Sequence, residues 1–542
     1  MKINKVLKYI IELIALIACV AILLINLAYN VSLENIMAEI INVSHNEMFR
    51  VISYIITIIA IYYIWYKSDL IKIKPKTKKI LLVVLFVVYF IIQILWINVR
   101  QANPNYDQYY VYDTAVRMKE ENENLIGDEY LEVYPQQIST ASFYALILKI
   151  FNTNDVKILQ YLNAIANTFT ILGLYFITKK IANKNNSVNK LAFVMLAFTF
   201  TALPLLSTFV YGDFISLPFA IFAIYFVIKY AKENKLRYLF LSAVMMSMSY
   251  FLRMNMLIFM IAIIIYLILE LIKSISNKIK QRNMKTKKKV LASALKSALI
   301  IIFILISIMP TNLYKSYMQS KLQLDKEKAF PPIGYLAIGI SRSGRGYGWY
   351  ADDLGGGWQS GKITKEEYKE LIKDRLNKLT KDLTKLIYFY TNKLASMWAE
   401  ITFGSFWYNL SFNFRDMQEN NITASEEQIT EYQNVDKELL KFYNFDRIYE
   451  KILILLLFLG VLLFILRNND ITNEQILLIL VFIGGFLFHF MWEAKSRYVI
   501  PYVVILIPIA SIGIKENCEW IKASVKKIKE KISPKNKKKQ EG

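Results

Sequence analysis

Nine charged residues carry the chemistry this sequence can offer: Asp107, Asp113, Asp213, Arg253, Asp352, Asp353, Glu493, Lys495 and Arg497. They come from distant stretches of a 542-residue chain that is 55% hydrophobic and 14% aromatic. A carboxylate can take the proton of an acceptor hydroxyl. Guanidinium and ammonium groups can stabilise a departing phosphate, where preorganised charge counts for most. Brought to one membrane face, these residues are the parts for base-assisted transfer off a lipid phosphate.

Taken singly, each has a plainer role. Asp107 follows Asn103-Pro104-Asn105, a turn sequence, so Asp107 or Asn105 would cap a helix beginning near Gln108. On that helix Tyr110, Asp113 and Arg117 share a face, Asp113 can pair with Arg117, and Asp107 points elsewhere. Asp213 lies in Tyr211-Gly212-Asp213, a short turn between two apolar runs, and Arg253 splits the long run Tyr238–Ile272 in two. Charges at helix ends reach water and need no function. Glu493, Lys495 and Arg497 fall in Trp492–Tyr498, either a solvated turn or a cation aimed at a headgroup phosphate. Asp352 and Asp353 sit in the Gly-rich, aromatic stretch 334–361, a loop expected to be mobile and ligand-shaping.

The elements that must position these residues are membrane spans. Apolar runs at 6–28, 49–66, 79–98, 158–178, 190–209, 213–230, 236–252, 254–272, 294–313, 448–467, 475–492 and 499–515 approach bilayer length. Lys2, Lys5 and Lys8 precede the first run, which reads as an uncleaved span rather than a signal peptide. With the N-terminus inside, 37 Lys and Arg fall on inner segments and nine on short outer ones. That bias places both termini in the cytoplasm. Every one of the nine candidate residues then faces outside. The fold class is an all-α polytopic membrane protein of about 12 helices with two large outer loops bearing amphipathic helices.

Its parts are an N-terminal pair of spans (1–78), a core (79–313) with a first outer loop at 99–157, a large outer region (314–447), last spans (448–515) and a basic tail (516–542). Within the first loop, Ile138–Phe151 is too short to span and is expected to lie on the membrane. In the second, Thr364 and Glu367 form a capping box, and apolar residues from Leu371 to Leu394 continue on one helical face. Residues 522–542 read as a disordered, lipid-attracted end. Net charge is +23, and its placement points to membrane lipids, not nucleic acid. Cys19 and Cys518 make no disulfide framework, two histidines make no zinc site, and no phosphate-binding Gly loop follows a strand. No metal or other cofactor is assigned; one Asp pair, 352 and 353, is too little to assign a divalent cation. The Ile, Lys and Asn bias suggests an AT-rich bacterial genome and a cytoplasmic-membrane location.

The segment Asp107-Gln108 with Ala115 and Met118 resembles the first outer loop of the GT-C integral membrane glycosyltransferases, near the protein O-mannosyltransferase and lipid A aminoarabinose transferase branch. That loop commonly reads Asp-Glu-x-x-Tyr-x-x-x-Ala-x-x-Met. Tyr112 lies one place off the usual tyrosine, and Gln108 replaces the second acid. The Tyr211-Gly-Asp213 turn, the Leu252-Arg253-Met-Asn255 break and Trp492-Glu493-x-Lys495-x-Arg497-Tyr498 add to the likeness, which covers about residues 80–515.

The resemblance implies an inverting transferase that moves a sugar from a polyprenyl-phosphate donor to a cell-envelope acceptor. Asp107 would be the base, and Arg253, Lys495 and Arg497 would face the donor phosphate. Asp113, Asp213, Asp352, Asp353 and Glu493 would bind or orient substrate. Rival readings are a flippase for a lipid-linked saccharide, which should show midplane charges and repeats, a polysaccharide polymerase or ligase, and a non-catalytic scaffold.

Overall fold

The apolar runs fold as helices. The computed structural model describes residues 2–35, 38–68, 74–121, 125–182, 188–280, 286–409, 426–468 and 470–532. The helices used below are α1 (Lys2–Ala28), α2 (Met48–Ser68), α3 (Pro75–Arg100), α4 (Asp107–Lys119), α5 (Glu129–Val133), α6 (Ile138–Ile150), α7 (Lys157–Ile181), α8 (Lys190–Phe198), α9 (Ala202–Leu205), α10 (Asp213–Glu233), α11 (Leu236–Leu252), α12 (Leu257–Lys280) and α13 (Thr286–Lys321). They continue as α14 (Pro332–Gly339), α15 (Asp352–Gln359), α16 (Lys365–Thr380), α17 (Leu383–Trp398), α18 (Glu426–Arg467), α19 (Asn473–Met491), α20 (Ile500–Val504) and α21 (Ile507–Ile532).

Among the described residues, ten helices are long and apolar enough to cross a membrane. The count is eleven if Ser496–Val504 and Ile507–Ile528, bent by 56°, make one span. Helix α11 occupies the remaining expected span, but at 17 residues it is shorter than the rest, about 25 Å against a core of about 30 Å. The protein is therefore a mostly helical, polytopic membrane protein.

One element departs from the all-α expectation. Strands β1 (Tyr29–Asn35) and β2 (Ala38–His45) form an antiparallel hairpin between α1 and α2. Its register sets Val31 against Val43 and Leu33 against Ile41, with Val31 and Leu33 buried. Tyr443 and Lys451 of α18 hold it through Leu33 N (3.1 Å) and Tyr29 O (2.9 Å), and Ile41 N donates to Arg345 O (2.9 Å). The hairpin thus ties α18 to the Gly-rich loop.

Three sequence boundaries shift. Helix α13 runs through residue 313 and α18 through 447, and near the second boundary some buried polar side chains of α18 take partners. Thr201 Oγ1, for example, donates within reach of Asp446 (2.8 Å) and Glu450 (2.6 Å), both buried. The stretch 522–532, expected as disordered tail, is the end of α21; the rest of that tail lies outside the described residues. The capping box at Thr364 and Glu367 is present, but the helix it opens breaks at Asp382, whose side chain caps α17 by accepting from Thr384 N and Lys385 N. Helix α6 does not simply lie on a surface. Ile138, Ala141, Tyr144 and Leu148 are buried, while Leu146 and Ile150 face outward.

Candidate functional site

Six of the nine charged residues line one cavity of about 1500 Å³: Asp107, Arg253, Asp352, Glu493, Lys495 and Arg497. Asp213 stands behind it, paired with Arg253. Asp113 and Asp353 are not among its lining residues.

Asp107 is the first residue of α4, not its cap: Tyr106 holds the capping position and no side chain caps the helix. Tyr106 has φ 48°, a conformation few side chains adopt, and its ring stacks on Trp407 at 5.1 Å. That strained residue sets where the Asp107 carboxylate enters the cavity. Gln108 explains why an amide stands where the resemblance expects an acid. Its Nε2 donates to Asn105 Oδ1 (2.9 Å) and its Oε1 accepts from Val210 N (2.9 Å). A carboxylate cannot do both. The amide locks the Asp107 end of α4 to the Tyr211 turn. Ala115 is fully buried where α4 packs on α6.

That turn docks in turn onto the Arg253 break. Gly212 has φ 88°, and a Cβ there would lie 2.5 Å from Leu252 O. Only glycine lets the two backbones approach so closely. Thr140 Oγ1 donates to the same carbonyl (2.7 Å), and Gly212 N donates to Tyr144 Oη (3.1 Å). Arg253 Nε then lies 3.2 Å from Asp213 Oδ1, both side chains nearly buried.

The cations meet aromatic faces. Arg253 lies over Tyr211 (4.7 Å), and Arg497 lies over Phe209 (4.6 Å), Tyr408 (5.0 Å) and Tyr498 (5.1 Å) and donates to the Tyr408 hydroxyl. Burial works against the Arg253 cation, but Asp213 with the Tyr211 and Tyr498 hydroxyls outweighs it, holding the pKa above the usual guanidinium value; Arg497 opposes the shift. Burial also raises the Tyr211 phenol, and Asp107 adds to this while Arg253 and Arg497 oppose it. Tyr211 therefore feels both the carboxylate and the cations.

The turn Trp492–Tyr498 is no solvated turn: Glu493, Lys495 and Arg497 are each under a tenth exposed. A residue outside the sequence candidates holds it. Lys393 of α17 is fully buried, and its Nζ donates to Gly339 O (2.5 Å), Trp492 O (2.8 Å) and Phe490 O (3.0 Å). Ala494 N donates to Gly348 O (2.7 Å), so the Gly-rich loop reaches the same turn. That loop is held rather than loose: Trp349 is buried and donates to Ser396 Oγ (2.9 Å).

Asp113 pairs with Arg117 (2.7 Å) as its spacing suggested, and Arg117 also meets Asp128 (2.7 Å), which caps α5. The triad clamps α4 to α5 and stands off the cavity. Asp352 sits exposed at the cavity mouth, paired with Arg345 (3.1 Å). Asp353, beside it in the first turn of α15, is exposed outside the cavity lining. A second unforeseen residue, Asn409, is fully buried and binds Trp96, Thr208 and the Leu205 and Ser405 carbonyls, while its own carbonyl takes two bonds from Arg100. It fixes the Trp407–Tyr408 wall against α3.

A cavity that Asp107, on the first turn of α4, shares with Arg253, Lys495, Arg497 and further carboxylates offers groups to accept a proton and groups to hold an anion. No curated protein matches this sequence. A family model described as conserved hypothetical integral membrane protein matches residues 1–518. The chain belongs to that family of integral membrane proteins.

Proposed function

We propose that the protein is an inverting glycosyltransferase of GT-C type, working at the extracytoplasmic face of a bacterial cytoplasmic membrane. Its donor is a polyprenyl-phosphate-linked sugar and its acceptor a cell-envelope hydroxyl. The observation that supports this most is the cavity itself, which Asp107 shares with Arg253, Lys495 and Arg497.

In the step, Asp107 takes the proton from the acceptor hydroxyl. The freed oxygen forms a bond to the anomeric carbon, and the bond from that carbon to the phosphate oxygen breaks. Its electron pair leaves on polyprenyl phosphate, whose added charge Arg253, Arg497 and Lys495 receive. The transition state is oxocarbenium-like, so nearby carboxylate charge also lowers its energy. Single displacement inverts the anomeric configuration. Asp213 acts from behind, orienting Arg253.

A lipid-linked saccharide flippase is the second reading. Asp446 and Glu450, buried within the span Lys437–Arg467, favour it, because ionisable groups in spans mark transport routes. Reconstituted protein given a labelled polyprenyl-phosphate sugar separates the two. Release of polyprenyl phosphate when an acceptor is present supports the transferase. Movement of intact donor across the bilayer, with no cleavage, refutes it.

A further inference from the structure

The cavity is larger than a phosphate and one sugar require. At about 1500 Å³ it exceeds the usual 300–1,000 Å³ of small-molecule sites. One stretch of its wall is a chain of touching rings: Tyr110, Tyr130, Tyr134, Phe330, Tyr335 and Trp492, all lining the cavity. Tyr110 stacks on Tyr130 at 4.9 Å, and Tyr130 meets Tyr134 at 5.3 Å. Tyr134 meets Phe330 at 6.5 Å, Phe330 meets Tyr335 edge-on at 4.7 Å, and Tyr335 stacks on Trp492 at 5.5 Å. The chain starts one helical turn past Asp107 and ends beside Glu493.

Two amides bridge phenols along it, and Glu129 with the ion pair Glu132–Lys328 (2.7 Å) also lines the cavity there. Gln136 Nε2 donates to Tyr335 Oη (3.5 Å) and Gln359 Nε2 to Tyr134 Oη (3.4 Å). Amides and phenols donate and accept alike. A polyprenyl tail would need aliphatic walls instead of phenols. A peptide would need an open strand edge or a pocket series for alternate side chains. Sugar rings present apolar C–H faces that pack on aromatic rings, with hydroxyls around the rim for amides and phenols. A run of rings suits a run of sugars.

We infer that this wall is an extended saccharide subsite, so that the acceptor is a glycan of more than one unit, its hydroxyl delivered to Asp107 at the inner end. The inference rests on the transferase reading and names its acceptor class.

The test uses the full-length protein in detergent. Maltose, maltotetraose, chitobiose, chitotetraose and a serine-containing hexapeptide are titrated by saturation-transfer NMR, with undecaprenyl phosphate as the donor-side probe. At least one saccharide series binds, the tetramer more tightly than the dimer. Tyr335→Leu weakens that tetramer about tenfold, the scale of one lost aromatic contact, whereas Tyr335→Phe keeps it. Tyr110→Leu, at a position 49% exposed and so safe for folding, weakens it too. The inference is overturned if undecaprenyl phosphate binds and no saccharide does, if the peptide binds in place of the saccharides, or if both leucine variants bind like wild type. Saccharide binding without undecaprenyl phosphate binding removes the donor reading and leaves the subsite standing.

Discussion

Arg253 and Arg497 share the ring of Tyr211, their guanidinium carbons 4.7 and 5.4 Å from its centroid. Both also face Tyr498, at 5.9 and 5.1 Å. Two like charges packed around the same two rings repel each other, as the opposing effect of Arg497 on Arg253 records. An anion bound between them relieves that repulsion, which is the physical reason to place the donor phosphate there. Arg497→Gln is expected to weaken undecaprenyl phosphate binding by at least about tenfold, measured by titration. Unchanged affinity would take Arg497 out of the phosphate site.

Arg253 also carries a structural load. Removing one partner of a nearly buried ion pair typically costs about 3–5 kcal/mol, so Arg253→Gln is expected to lower the thermal midpoint clearly. Adding Asp213→Asn removes the stranded carboxylate. The double variant is expected to regain most of the stability and none of the phosphate affinity. Recovery of both would make Arg253 a structural residue only.

Gly212→Ala tests the docking of the two turns. The added methyl meets Leu252 O at 2.5 Å, in a backbone conformation that disfavours side chains. A loss of about 1–3 kcal/mol is expected, with weaker undecaprenyl phosphate binding because Tyr211 and Arg253 separate. A variant as stable as wild type would contradict the close approach.

Much of this arrangement was legible in the sequence, for identifiable reasons. Spans follow from apolar length, and Arg253 and Asp213 were visible as breaks because charge interrupts otherwise continuous runs. The Asp113–Arg117 pair follows from helical spacing. So does its separation from Asp107: six residues at about 100° each put Asp113 on another face. The hairpin escaped notice because its strands, Tyr29–Asn35 and Ala38–His45, are short beside two long apolar runs. The alternation Val31, Leu33, Ile41, Val43 was the signal available. Lys393 and Asn409 were not legible. Local polarity marks such residues as exposed, and only partners distant in sequence, such as Trp492 for Lys393 or Trp96 for Asn409, account for their burial. The aromatic cage around Arg497 is likewise assembled from residues 209, 211, 408 and 498.

Lys393 gives a pH dependence. Burial pushes its pKa down to about 7 from the free value of 10.5, with Glu493 opposing. Between those two values the unfolded chain stays protonated while the folded amine gives up one of the three protons it donates to the carbonyls. Raising the pH through that window therefore favours the folded state, and the cost of the buried cation is fully present below about 7. From about pH 7 to 10 the thermal midpoint of wild type should rise relative to that of Lys393→Met. A constant difference would show that Lys393 does not change its protonation there. The same variant leaves the Gly339, Phe490 and Trp492 carbonyls without their donor, so its turn should loosen at every pH.

The central claim is that Asp107 is the base in a cavity whose cations hold the donor. The most direct measurement compares wild type and Asp107→Asn in one reconstituted system, reading donor binding and sugar transfer from a labelled polyprenyl-phosphate sugar. The account requires that the variant bind donor within about twofold of wild type while transfer falls by about 10²–10⁴-fold, the range of general-base catalysis. Transfer near the wild-type rate in Asp107→Asn, with the protein folded and donor bound, would contradict it.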